Sequence, residues 1–373
     1  MHMITVTPEL PSLQKVTIVG MGAIGGVFAA WLGTRLPAGR IQLSALARGQ
    51  TLAALQQNGL SWAETGPSGE VVEHRVPLHS SSDAAALGPQ DLVIVSVKGP
   101  AMPAVAQQIQ PLLAPHTVVL VAMNGVPWWF FDGLGGEYNG LALRTVDPDG
   151  LTAQALPTAH VLGCVVHASA VAPQPGRVER IKNNQLIIGE PGGSKLDPHA
   201  DAAPQGGSNP LGAARRGFGS PRAEAVAALL EQAGFAVTVS QRIQQDIWFK
   251  LWGNMTMNPV SAITGAPCDQ ILDDPLVRAY CSAVMREAQA IGQRIGCGID
   301  QQPDDRHGVT RKLGSFKTSM LQDVEAGRPI ELDALVAVVR EIGQHLGLAT
   351  PHIDALLGLT RLMARTRGLY PPA

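Results

Sequence analysis

Three polar side chains stand four residues apart in an otherwise apolar stretch: Lys250, Asn254 and Asn258 in DIWFKLWGNMTMNP, residues 246–259. In a helix each step of four drifts by only about 40°, so the three project along one face at successive turns. A lysine there can supply a proton. Asparagines can donate to a carbonyl or carboxylate oxygen and accept from a hydroxyl. Trp248, Phe249, Leu251, Trp252, Met255 and Met257 would bury almost any face of this helix, and a buried polar stripe needs partners, for which a substrate is suited. Pro259 is expected to distort or end the helix just after Asn258.

A second cluster, TSMLQDVEAGRPIELD at 318–333, offers Ser319, Asp323, Glu331 and Asp333. Read alone it is an ordinary helix, a turn at Gly327 and the acidic start of another helix. Lys98, after the run DLVIVSV, and Asn124-Gly125, after TVVLVA, stand where open α/β sheets place ligands.

Gly20-Met21-Gly22-Ala23-Ile24-Gly25 is a GxGxxG run directly after KVTIVG and at the start of an apolar helix. The first glycine allows a tight turn, the second lets backbone approach a pyrophosphate, and the third permits close helix–strand packing at a helix N-terminus that favours anions. Dinucleotide binding is the expectation in that context. Residues 26–63 contain no acidic residue to hold a ribose 2′-hydroxyl, whereas Arg48 stands at the end of the second strand. An arginine there can pair with a 2′-phosphate, which favours NADP(H) over NAD(H).

The elements that position these residues follow two rhythms. Near-continuous apolar runs at 15–20, 41–47, 91–97 and 117–122 alternate with helical segments such as 23–36 and 101–113, as in a doubly wound parallel sheet. Residues 158–190 read as antiparallel strands added to that sheet. Residues 191–221, rich in Gly, Pro, Ala and Ser, read as a mobile surface insertion. A helix at 222–233 and a strand at 235–239 complete the first domain near residue 240. From 241 to 373 the pattern is helical. In 275–295 apolar residues recur at three- and four-residue steps, with Asp274 as N-cap, Pro275 at the first helical position and Gly296 beyond the end. Residues 331–346 repeat that logic, and Thr350-Pro351 opens a last helix. The fold class is therefore α/β: an N-terminal Rossmann-type doubly wound sheet (1–240) followed by an all-helical C-terminal domain (241–373).

Composition narrows the partners. Of 373 residues, Lys+Arg 28 against Asp+Glu 30 leaves a net charge of -2, and no basic stripe is visible, so nucleic acid is not expected. No apolar run approaches the roughly 20 residues a membrane span needs, and the first 14 residues hold no signal-like apolar stretch. Cys164, Cys268, Cys281 and Cys297 lack metal-site spacing and read as buried free thiols in a reducing cytoplasm, with no metal expected.

Together these pieces resemble the ketopantoate reductase (2-dehydropantoate 2-reductase) family: the glycine turn, Lys98, Asn124-Gly125, the K-L-x-x-N-x-x-x-N-P run from Lys250 to Pro259, and S-M-L-Q-D-x-x-x-G-R-x-x-E-x-D from Ser319 to Asp333. The resemblance covers nearly the whole chain. It implies NADPH-dependent reduction of ketopantoate to pantoate on the pathway to pantothenate, with Lys250 as general acid and Glu331 holding Lys250 or the substrate hydroxyl. It further implies that Ser319 and Asn258 grip carboxylate and hydroxyl groups, that Asn254 orients the lysine or substrate, and that Lys98 and Asn124 border the nicotinamide and substrate. A small keto acid is the implied partner, and the sequence leaves a homodimer open. Two departures stand out, the long 191–221 stretch and the aromatic, glycine-rich segment 126–150. Two other readings stay open: a paralogue reducing another 2-keto or β-keto acid, and a Rossmann protein that senses NADP(H) without turnover.

Overall fold

In the computed structural model the described residues are 11–65, 68–193 and 219–372. They fall into two units. The first comprises the described residues up to Met123 together with Asp132–Gly135 and Leu151–Ile243; the second takes Asn124–Phe131, Gly136–Gly150 and the chain from Gln244 onward. Most of the expected insertion, 194–218, lies outside the described residues.

The first unit begins with β1 (Lys15–Val19), α1 (Ala23–Arg35), β2 (Gln42–Leu46) and α2 (Gly49–Asn58), followed by β3 (Leu60–Thr65), β4 (Val71–Val76) and β5 (His79–Ser81). It continues with β6 (Leu92–Val95), α3 (Met102–Gln108), β7 (Val118–Val121), α4 (Leu151–Ala155) and β8 (Val161–Val166). It closes with β9 (Ser169–Gln174), β10 (Arg177–Lys182), β11 (Gln185–Gly189), α5 (Pro221–Gln232) and β12 (Ala236–Val239).

The main sheet has the order β12-β11-β8-β7-β6-β1-β2-β5. Neighbours are parallel except β11 and β8, which run antiparallel. Counted from β5, its first six strands follow the 3-2-1-4-5-6 order of dinucleotide-binding folds, with the reversal between β1 and β6. β6 and β7 are buried at every position, which explains why their sequences are apolar throughout.

Only part of 158–190 joins that sheet. β8 and β11 do, but β9 and β10 pair with β3 and β4 in a second sheet of order β4-β3-β10-β9. The alternation of buried Leu60 and Trp62 with Ser61 and Ala63 was the available signal for β3. Pairing between residues so distant in sequence leaves no local trace. The second sheet also accounts for α1, whose residues Gly25 to Leu32 are buried without interruption. A helix apolar all round must be covered on both sides, and at Gly26 a Cβ would stand 3.1 Å from that of Val178 on β10.

The second unit contains α6 (Ile243–Thr264), α7 (Cys268–Asp273), α8 (Pro275–Arg294), α9 (Pro303–Lys312), α10 (Ser319–Glu325), α11 (Val338–His345) and α12 (Pro351–Thr366). At the start of α8, Asp274 caps as expected, accepting from the Leu276 and Val277 amides. Two expectations fail locally. α6 runs through Pro259 to Thr264; Met255, whose carbonyl loses its helical donor, is fully buried with Val260 and Ala262, and that packing outweighs one missing bond. Residues 333–337 form a π-helical turn leading into α11 rather than a regular helix. The aromatic segment is core: Trp129, Phe130 and Phe131 are at most 1% exposed, and Phe130 lies 6.0 Å from Trp248 of α6. Glu341 of α11 holds the same segment by accepting from the Arg144 and Thr145 amides at 2.7 and 2.9 Å. This packing draws 124–131 and 136–150 into the helical unit, which a single cut at 240 does not describe.

Candidate active site

The glycine turn follows β1 at the reversal point of the sheet. Gly20 has φ +91°, and a Cβ there would meet the Ser96 carbonyl at 2.4 Å, so only glycine fits beside the end of β6. Gly25 supports α1 against the turn: its Cβ would lie 2.0 Å from the Gly20 carbonyl oxygen. Gly22 differs, since nothing stands within 4 Å of its Cβ position. That glycine is exposed and forms the N-cap of α1 without a side-chain cap, leaving first-turn amides directed outward beside open space. Met21, Ala23 and Ile24 are half-buried around it.

This cradle suits a pyrophosphate, since it combines unobstructed backbone with the positive end of a buried helix. Arg48 is exposed at the end of β2 and is the N-cap residue of α2; among the described residues it makes no ion pair, so its guanidinium is available to a phosphate. Lys98 is half-buried two residues beyond Ser96 and caps the short 3-10 turn 99–101.

In the second unit Lys250 and Asn124 come together: Lys250 Nζ donates to Asn124 Oδ1 at 2.8 Å. The turn carrying Asn124 is fixed from behind. Gly125 has φ +82°, and a Cβ there would meet the Ala334 carbonyl oxygen at 2.3 Å, while the Val126 amide donates to that oxygen at 2.9 Å. The π-helical turn just after Glu331 thus braces the loop that holds the lysine.

Asn254 is half-buried and Asn258 is only 7% exposed. Among the described residues neither side-chain amide has a hydrogen-bond partner, and neither counts among the buried polar atoms left without one, so both amides keep access to solvent and to a ligand. Glu331 is half-buried between the buried Ile330 and Leu332. Ser319 is exposed at the first position of α10, where the cap itself is Thr318, accepting from Leu321. Asp323 is engaged with Arg328 at 2.9 Å.

Sequence reasoning missed the C-terminal strap over this segment. The Ile330 amide donates to the Leu369 carbonyl at 3.2 Å, and the Tyr370 hydroxyl donates to Asp333 Oδ1 at 2.5 Å. The two residues on either side of Glu331 and Leu332 are therefore tied to the chain terminus. Burial pushes the Asp333 carboxyl above the usual carboxylate range, against the opposing pull of the Tyr370 hydroxyl and Arg361. Nothing in the local sequence couples positions 37 apart.

Two family models match the chain: ketopantoate reductase PanE/ApbA over residues 16–135, and its C-terminal counterpart over 242–364. A 2-dehydropantoate 2-reductase of Mesorhizobium japonicum is 39% identical, covering 96% of this chain and all of the relative. A crystal structure from Ralstonia solanacearum, classed as a ketopantoate reductase, is 52% identical with a TM-score of 0.85, over 96% of this chain and 100% of that one. D-mandelate dehydrogenase in complex with NADH and anilino(oxo)acetate has a TM-score of 0.74 at 18% identity, covering 95% of this chain and all of that one; this likeness is one of fold.

Proposed function

The chain belongs to the ketopantoate reductase family, and we propose that it reduces 2-dehydropantoate to pantoate, drawing on NADPH and using Lys250 as proton donor. The observation that carries this reading is the 2.8 Å hydrogen bond that joins Lys250, on the family's lysine–asparagine helix, to Asn124 on the turn after β7. A non-catalytic sensor of NADP(H) has no need of a positioned proton donor.

Gly20, Met21, Gly22, Ala23, Ile24 and Gly25 would hold the pyrophosphate, with Arg48 on the 2′-phosphate and Lys98 and Asn124 at the nicotinamide end. When bound, NADPH supplies the hydride that reduces the 2-keto carbon. Lys250 meets the charge that develops on the keto oxygen and gives it a proton. Asn124 accepts one ammonium hydrogen and thereby holds the end of the Lys250 side chain in place. Asn254 and Asn258, whose side-chain amides have no partner among the described residues, bond the substrate's polar atoms, and Ser319 adds a hydroxyl from α10. Glu331 orients Lys250 or accepts from the substrate hydroxyl. Four buried free thiols accord with a reducing, cytoplasmic setting, and no helix among the described residues is long and apolar enough to cross a membrane.

The test is NADPH oxidation with 2-dehydropantoate beside a panel of other 2-keto and β-keto acids. Turnover highest on 2-dehydropantoate supports the assignment. Turnover confined to other acids replaces the substrate, and tight NADPH binding with no turnover on the panel removes the enzymatic reading.

A further inference from the structure

We propose that Arg306 binds the substrate carboxylate, an assignment that rests on the reduction of a 2-keto acid argued above. Arg306 belongs to α9 and reaches across to α6 at Gly253, the residue between Trp252 and Asn254. A Cβ at position 253 would meet Arg306 Nε at 2.7 Å and Nη2 at 3.0 Å. The guanidinium carbon lies 5.8 Å from the ring centre of Phe249. Glycine is unfavourable inside a long helix. Here the space it leaves is filled by a cation, one residue from Asn254 and three from Lys250.

Among the described residues nothing neutralises the cation. Nε is buried with no hydrogen-bond partner, and among the described residues no carboxylate forms an ion pair with the guanidinium. Asp305, the neighbouring acid, has its carboxylate engaged with the Gln302 amide at 2.9 Å. Burial pulls the Arg306 pKa down, with no acidic neighbour acting against it. An uncompensated guanidinium in such a place is costly unless something anionic completes it. The two terminal nitrogens are not cut off as Nε is, so the outer edge of the fork remains open to a ligand.

The scale suits a 2-keto acid. Residues three apart on a helix have Cβ atoms roughly 5–6 Å apart, so the guanidinium seated at Gly253 occupies the stretch of α6 from which Lys250 also starts. A carboxylate bonded directly to the carbonyl carbon is the group that follows the oxygen receiving the Lys250 proton. The planar fork matches that carboxylate in a way a lysine would not.

The experiment compares wild type with Arg306→Ala, Arg306→Met and Arg306→Lys on two substrates: 2-dehydropantoate and 2-dehydropantolactone, in which the carboxylate is closed into an uncharged ester. NADPH affinity is measured in parallel by fluorescence titration, and stability by thermal melting. The expected result is a KM for 2-dehydropantoate raised about ten- to a hundred-fold in the Ala and Met variants, the range for losing a charge-assisted bond. The kcat/KM for the lactone and the NADPH affinity stay within about three-fold, and the melting temperature does not fall, because an unpaired buried charge has been removed. Partial recovery in Arg306→Lys is expected, since charge returns without the fork. An equal loss on both substrates, or no loss on the keto acid, overturns the assignment. If wild type turns over only a different keto acid, the substrate proposed above fails, and the same comparison made between that acid and its methyl ester still decides the role of Arg306.

Discussion

Lys250 Nζ and Asn124 Oδ1 meet at 2.8 Å although 126 positions separate the two residues. The pairing fixes the one flexible part of the proposed proton donor, a four-carbon stem, from a loop that is itself pinned to Ala334. Lys250→Ala should lower kcat by several orders of magnitude while NADPH binding, measured by titration, stays nearly intact, because general-acid assistance alone contributes about 10²–10⁴ in rate. Asn124→Ala should lose less, roughly ten-fold, since it removes aim rather than the proton. A fully active Lys250→Ala enzyme removes that residue from the mechanism.

In the proposed reading, Arg48 carries the choice of cofactor. It is exposed at the end of β2, and the acid-free stretch 26–63 offers no carboxylate for a ribose 2′-hydroxyl. Arg48→Ala should weaken NADPH about ten-fold or more and leave NADH within about two-fold, the asymmetry expected when a charge-assisted phosphate contact is removed. Dissociation constants for both cofactors make the comparison, and equal losses would show that Arg48 does not read the 2′-phosphate.

Glycines of one motif should behave differently when each receives a methyl group. At Gly22 nothing stands within 4 Å of the added carbon, whereas at Gly25 the Gly20 carbonyl oxygen is 2.0 Å away. Gly22→Ala is therefore expected to melt close to wild type yet bind NADPH weakly, because the methyl group intrudes where backbone must approach the pyrophosphate. Gly25→Ala should lower the melting temperature, with a cost of about 1–3 kcal/mol from overpacking. If the alanine at 22 binds NADPH normally, the pyrophosphate lies elsewhere.

How far these sites could be read in advance depended on how local their causes are. The strands around Gly20 were legible because burial on both faces forces a continuous apolar run, and the cap at Asp274 because its partners lie two and three residues on. The lysine–asparagine stripe was legible from helical period alone. What escaped were pairings set by tertiary contact: β10 beside β3, Tyr370 on Asp333, Arg306 in the space left by Gly253. Pro259 does not end α6 for the same reason, since a buried helix tolerates a missing bond that an isolated one does not. The aromatic, glycine-rich segment 126–150 stands out in the sequence, but only the burial of Trp129, Phe130 and Phe131 and the packing of Phe130 against Trp248 show that it builds core.

The C-terminal strap makes a prediction about Glu331. Tyr370 and Leu369 bond Asp333 and Ile330, on either side of the glutamate. Tyr370→Phe keeps the ring and deletes one hydroxyl, leaving a buried carboxylate without its donor. It should lower kcat by about three- to ten-fold with little change in KM, because Glu331, in the role proposed for it, acts on the lysine or the substrate hydroxyl and not on binding as a whole. Steady-state kinetics measure the split; a rise in KM alone with kcat unchanged would mean the strap serves substrate binding instead.

Alkaline conditions should weaken the helical unit through two buried thiols and a phenol. Burial, reinforced by Asp269, pushes Cys268 from the ordinary thiol value of 9.0 up to about 12. Burial, with Cys268 adding to it, does the same for Cys281. Tyr280, on the residue before it, is likewise raised from 10.0 to about 12 by burial first and then by Cys281 and Glu287. Groups with raised folded values keep protons that the unfolded chain releases. Their contribution to stability is complete below pH 9 and is lost progressively as pH rises toward 12, since between those values the folded state binds more protons than the unfolded one. Urea midpoints should accordingly fall between about pH 8 and about pH 10.5, and Cys281→Ala, although it leaves a small cavity at every pH, should show a shallower fall than wild type. A slope unchanged by that substitution would assign the alkaline loss to other groups.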